Sequence, residues 1–172
     1  MGILQILLLL LLLLGGTTSQ EVDQRPPRTS QTYETGQMVR YSRQYFTNDA
    51  WRQLDFPTSG NLPVIAFVSD VYGAVVAIGS AATDSEINYQ WLNGLMANYR
   101  PWLLTAQCQQ GSIQLFEMKG EFAGRAYLTR YWIAPWRADR LLTVHLVFPI
   151  ERQVDLNHYS QLLFPELPSC AD

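Results

Sequence analysis

Residues 126–148 read AYLTRYWIAPWRADRLLTVHLVF, and this stretch decides the fold. Ala126–Ala134 is rich in aromatic and β-branched types, and Leu141–Phe148 alternates. Leu142, Val144, Leu146 and Phe148 fall on one face of that second run, and Leu141, Thr143, His145 and Val147 on the other. Both runs read as strands. Their join, Trp136–Arg140, is too short for a crossover, so the strands are antiparallel neighbours.

Working outward, Ile113–Lys119 alternates weakly and joins the same meander through Gly120–Arg125. Earlier, Pro63–Val68 and Val71–Ile78 flank the turn residues Ser69-Asp70 and read as a hairpin, with Gly73 a candidate bulge. Trp51 to Pro57 reads as an extended lead-in, ended by the turn cluster Thr58–Asn61. Between hairpin and meander lies a helix over 84–99. Thr83 and Glu86 make a capping-box pattern, and Ile87, Trp91, Leu92, Leu95, Met96 and Tyr99 recur at helical spacing before Pro101. A last helix starts at Asp155 as N-cap, with Val154 and Tyr159 placed for a hydrophobic staple; Leu156, Tyr159, Leu162 and Leu163 share a side, and Pro165 and Pro168 close it. The order β-β-α-β-β-β-α predicts an α+β fold, an antiparallel sheet with two main helices packed on one face. It lacks the alternation of a doubly wound sheet.

Before the domain comes a different kind of chain. Ile3, Leu4 and Ile6–Leu14 form an apolar block, followed by Gly15, Gly16 and Thr17-Thr18-Ser19. The block has the length of a signal-peptide core and is short of the ~20 residues a transmembrane helix needs. Residues 1–19 therefore read as an export signal, cut near Ser19–Gln20. No Lys or Arg precedes the block, which keeps a retained weak anchor as the alternative. Residues 20–44 are polar, contain Pro26-Pro27, and read as a disordered linker. Residues 45–172 are then a single domain, with no transmembrane span once the leader is gone.

Export gives the two cysteines a meaning. Cys108 and Cys170 are an even pair in an oxidising compartment. Either they bridge, pinning the C-terminal tail to the body, or they stay as two thiols; their separation in space decides.

Chemistry is sparse. Of 172 residues, two are His, and no GxSxG, HExxH, CxxC or P-loop pattern occurs. No catalytic residue, metal ligand or cofactor-binding residue is assigned, and no cofactor is expected. Glu117 and Glu121, with Lys119 between them, read as a solvated strand edge. Net charge is −3, which argues against a nucleic-acid partner. That small sum hides opposed regions: 100–152 carries seven cations against four anions, whereas 48–99 carries one against five. Eleven of the twelve cations are Arg, the type suited to bidentate pairing and aromatic stacking. On the 136–140 turn, Trp136, Arg137, Asp139 and Arg140 have the composition of an interaction hot spot. The tip reads as a partner-docking site, or as Trp136 folded back onto the sheet beside a local Arg–Asp pair.

The succession of aromatic lead-in (Trp51 to Pro57), hairpin 63–78, helix 84–99, meander 113–148 and helix 155–164 resembles the PsbP-like family of exported proteins, which includes extrinsic proteins of photosystem II. The likeness lies in element order over about 120 residues and matches no short diagnostic motif, so it transfers no functional residue. It implies an accessory role on the exported side of a membrane protein complex. The expectation is thus a non-enzymatic accessory or binding protein in the periplasm, a thylakoid lumen or the secreted space. The alternative is a carrier of an apolar small molecule in a pocket lined by Tyr127, Tyr131, Trp132 and Phe148. A hydrolase on an unrecognised site comes third.

Overall fold

A computed structural model describes residues 44–46, 48–54 and 65–170. The leader over 1–19, nearly all of the linker and the Thr58–Asn61 turn lie outside the described residues. The chain runs through β1 (Arg52–Leu54), β2 (Ile65–Ser69), β3 (Ala74–Ala82), α1 (Tyr89–Leu95), β4 (Trp102–Gln110), β5 (Ile113–Phe122), β6 (Arg125–Arg137) and β7 (Arg140–Pro149). A 3-10 turn, Ile150–Arg152, then leads into α2 (Gln153–Leu163). The described strands form one antiparallel sheet in the order β1-β2-β3-β7-β6-β5-β4. The α+β class stands, with more sheet than expected. β7 is central: Val147 pairs with Val75 of β3 on one side and with Thr129 of β6 on the other.

The expected one-sided packing is corrected. The two helices cover opposite faces. Phe67, Val76, Ile78, Leu115, Trp132, Leu142, Val144, Leu146 and Phe148 pack with Leu156, Tyr159 and Leu163 of α2. Val68, Val75, Phe116, Met118, Tyr127, Tyr131, Ile133 and Val147 pack with Leu92 of α1 and with Met96 and Tyr99 just beyond it. Alternation along β7 therefore sorts its side chains between two cores rather than between core and water, which is why both of its faces are apolar.

The helix starts are also corrected. β3 runs on to Ala82, which pairs with Arg140. That pairing draws Thr83 into a turn, where its N–H donates to the Asp139 carbonyl at 3.1 Å. The Thr83/Glu86 capping box is therefore unused. Asn88 caps the helix instead, its side-chain oxygen accepting from Trp91 N–H at 3.1 Å. α2 begins at Gln153, so Asp155 lies in its first turn and not at its cap. Val154 is 82% exposed, so no staple forms. The remaining stripe is as read: Leu156, Tyr159 and Leu163 are buried, with Ser160 beside them.

Gly73 sits in the β2–β3 turn at φ +63° and not in a bulge. Gly120 has a stricter role. A Cβ there would lie 2.6 Å from the Tyr99 carbonyl oxygen and 2.8 Å from the Tyr99 Cβ. Its bare backbone is what lets the segment after α1 lie on β5. Gly120→Ala is expected to cost about 2 kcal/mol in urea unfolding, because the obstacle is backbone. Gly94→Ala, on exposed α1 with nothing within 4 Å of its Cβ, is expected to gain up to about 1 kcal/mol in the same assay.

Cys108 and Cys170 are bridged, with Cα atoms 5.5 Å apart. The bond ties β4 to the tail that follows α2. That tail is also held by the Trp132 indole, which donates to the Leu167 carbonyl at 2.8 Å and stacks on Phe164 with centroids 4.8 Å apart.

Candidate functional site

The β6–β7 tip is built by a two-residue turn, Ala138-Asp139, after a register shift between Pro135 and Arg137. Arg137 pairs with Arg140 across the turn. Trp136 is half-buried and packs against the α2-side core, Arg140 is half-buried and Asp139 exposed. The indole thus contacts the body of the domain while part of it stays accessible.

Glu117 is corrected from solvated edge to half-buried ion-pair partner. It stands opposite Arg130 in the β5–β6 register, and its Oε1 accepts from Arg130 Nε at 2.7 Å. Arg130 also donates to Ser160 Oγ at 2.9 Å, and Ser160 in turn donates to the Leu156 carbonyl at 2.7 Å. This chain satisfies the buried Arg130 guanidinium and clips α2 to the sheet. Lys119 and Glu121 are exposed.

A second polar group lies under α1. Tyr131 of β6 faces His145 of β7 in register, the rings meeting edge to face at 5.7 Å. Trp91 of α1 donates its indole N–H to the Tyr131 hydroxyl at 3.1 Å, and Thr143 bonds the same hydroxyl. His145 Nε2 and Thr129 Oγ1 are buried without hydrogen-bond partners. Burial pushes the His145 imidazole down to about 3 and the Tyr131 phenol up to about 12. Near neutral pH both groups are uncharged and hold their protonation state, which suits a polar core better than proton transfer. His158 is exposed on α2. Among the described residues no group of three or more His, Cys, Asp or Glu could hold a metal ion.

The four aromatics suggested as a pocket lining do not converge. Tyr127 and Tyr131 belong to the α1-side core, and Trp132 and Phe148 to the α2-side core. The sheet separates the pairs.

The feature the sequence reading missed is β4. Among the described residues this strand (WLLTAQCQQ) pairs with β5 alone and forms one edge of the sheet. It has no charged side chain. Leu103 is 55% exposed and Leu104 39%, and Tyr89 of α1, 69% exposed, stacks on Trp102 at 5.2 Å. Trp102, Leu104 and Tyr89 share the α1 face of this edge, and Leu103, opposite Lys119, lies on the other face. The strand is held rigidly by the disulfide at Cys108 and by Thr105 Oγ1, which donates to the Glu117 carbonyl at 2.9 Å across a register shift. Edges are normally blunted by charge, proline or short length. Among the described residues a bulge is the only such device on β4. The sequence signal was Gly111-Ser112, a two-residue hairpin join with Gly111 at φ +56°.

No family model matches the chain, and no curated protein matches it. Two solved structures are similar in outline. One is LpqN, involved in cell envelope biogenesis of Mycobacterium tuberculosis, at 12% identity and TM-score 0.44, covering 69% of this chain and 78% of that one. The other is PA94, a protein of unknown function from Pseudomonas aeruginosa, at 14% identity and TM-score 0.41, covering 73% and 85%. Neither likeness is close enough to assign a family or a role.

Proposed function

We propose that the protein is a non-enzymatic binding or accessory domain working outside the cytoplasm. It docks onto a membrane protein complex from the exported side, by adding an extended segment of that complex to its β4 edge. The observation that carries this reading is the edge itself: nine uncharged residues, two of them exposed leucines, held in strand conformation and paired on one side only among the described residues. Strand addition uses such an edge, with main-chain hydrogen bonds giving affinity and side-chain contacts giving selectivity. The Cys108–Cys170 bond supports an oxidising compartment. The apolar leader over residues 1–19 points the same way. No helix among the described residues is long and apolar enough to cross a membrane.

A photo-crosslinking amino acid at Leu104 or Gln107, in protein exported by its own host, is expected to capture a membrane partner. Substituting Leu104→Lys with Gln107→Lys should abolish recovery of that partner from gently solubilised membranes, and Trp136→Ala should not. Capture from Trp136 but not from β4 would replace the edge with the hairpin tip. No partner from either place would overturn the accessory role.

A further inference from the structure

We infer that the β4 edge also accepts a second copy of this chain, as an antiparallel β4–β4 pair about a two-fold axis perpendicular to the sheet. The inference rests on the reading of β4 as a docking edge and names an occupant for it when no other partner is bound. Charge placement selects the occupant and its direction. Within Trp102–Gln110 there is nothing to repel a like strand. The exposed charges nearest the edge lie at its Trp102 end: Arg100, Lys119 opposite Leu103, and Glu121, whose N–H donates to the Pro101 carbonyl; Glu117, opposite Ala106 at mid-strand, is half-buried and neutralised by Arg130. The other end is uncharged, with Gln109 opposite Gln114 and Gln110 opposite Ile113. Antiparallel pairing lays the charged end of each copy against the Gln-rich end of the other. Parallel pairing would set Arg100 on Arg100 and Lys119 on Lys119, which is unfavourable.

The two-fold pair uses the same β4 edge on both chains, so association closes at two chains. A contact confined to one strand edge roughly 30 Å long falls at the small end of protein interfaces, so the dimer is weak and exchangeable. A partner strand can then displace the second copy. With Ala106 near the two-fold axis, Leu104 and Gln107 of both chains lie close together on the α1 face, since both pair with α1-side residues of β5, Met118 and Phe116.

Sedimentation velocity on the oxidised protein, purified from the exported fraction of its host, tests this over roughly 1–300 µM. The expected result is a shift from one to two chains with rising concentration. Leu104→Lys/Gln107→Lys and Leu104→Glu/Gln107→Glu should each stay monomeric, and their equimolar mixture should form a heterodimer. Near-UV circular dichroism confirms that each variant is folded, and the heterodimer itself shows that both retain the edge. Wild-type protein that stays monomeric at 300 µM overturns the inference, as does a dimer that survives both charged variants. A monomer that still crosslinks a membrane partner through β4 removes self-pairing and leaves the docking function standing. A dimer with no such partner does the reverse.

Discussion

Opening the Cys108–Cys170 bond is expected to lower the folding free energy by about 4 kcal/mol, by the chain-entropy estimate for a loop of this size. The two cysteines are 62 residues apart in sequence, so the crosslink removes many conformations from the unfolded chain and few from the folded one. The folded tail has other holds: the Trp132–Leu167 hydrogen bond and the Trp132–Phe164 stack. A Cys108→Ala/Cys170→Ala chain should therefore keep its near-UV signal while its urea midpoint falls well below that of the oxidised protein. A loss under about 1 kcal/mol would show that Trp132 and its partners, and not the crosslink, set the stability of this region.

Acid is expected to destabilise the protein through His145. In the unfolded chain the imidazole takes its proton near pH 6.5, whereas in the folded chain burial holds it down to about 3. The unfolded state thus binds the proton first. Stability is intact above about pH 6.5 and falls as pH drops from there toward 3, where the folded ring also protonates. The slope approaches roughly 1.4 kcal/mol per pH unit, so about 3 kcal/mol is lost by pH 4.5. His145→Leu removes the titrating ring and the unpartnered Nε2 together. Its stability should be within about 1 kcal/mol of wild type at pH 7 and higher than wild type at pH 4.5. Urea melts at the two pH values read this directly, and an unchanged acid slope in His145→Leu would assign the sensitivity elsewhere.

The meander was legible because its strands alternate against two fixed surfaces. Period 2 survives in LLTVHLVF whichever helix lies above. The same run also held the clue to helices on both sides, because His145 and Thr143 share their face with Leu141 and Val147, leaving no solvated side. β4 was illegible for the opposite reason. An edge strand with water on most of its surface has no burial period to read, and only the Gly111-Ser112 join marked it. The Thr83/Glu86 cap failed because pairing of Ala82 with Arg140 outweighs a local capping preference. Glu117 could not be read as an ion-pair partner without knowing that the β5–β6 register sets it opposite Arg130. The bridging of Cys108 and Cys170 depended in the same way on a strand and a tail that meet only in three dimensions.

The order of strands in the sheet has a consequence for how the chain matures. β4, β5, β6 and β7 are joined by two-residue turns, so each finds its neighbour at once. β3 has no such neighbour on its inner side. Its partner there is β7, the last strand in sequence, and the nearest paired residues are Ala82 and Arg140. Synthesis delivers β3 first. Until β7 emerges, the strand that will lie inside the sheet is itself an edge, nine residues long and almost wholly apolar. The nascent chain is therefore most exposed to wrong pairing between the appearance of Ala74–Ala82 and that of Arg140–Pro149.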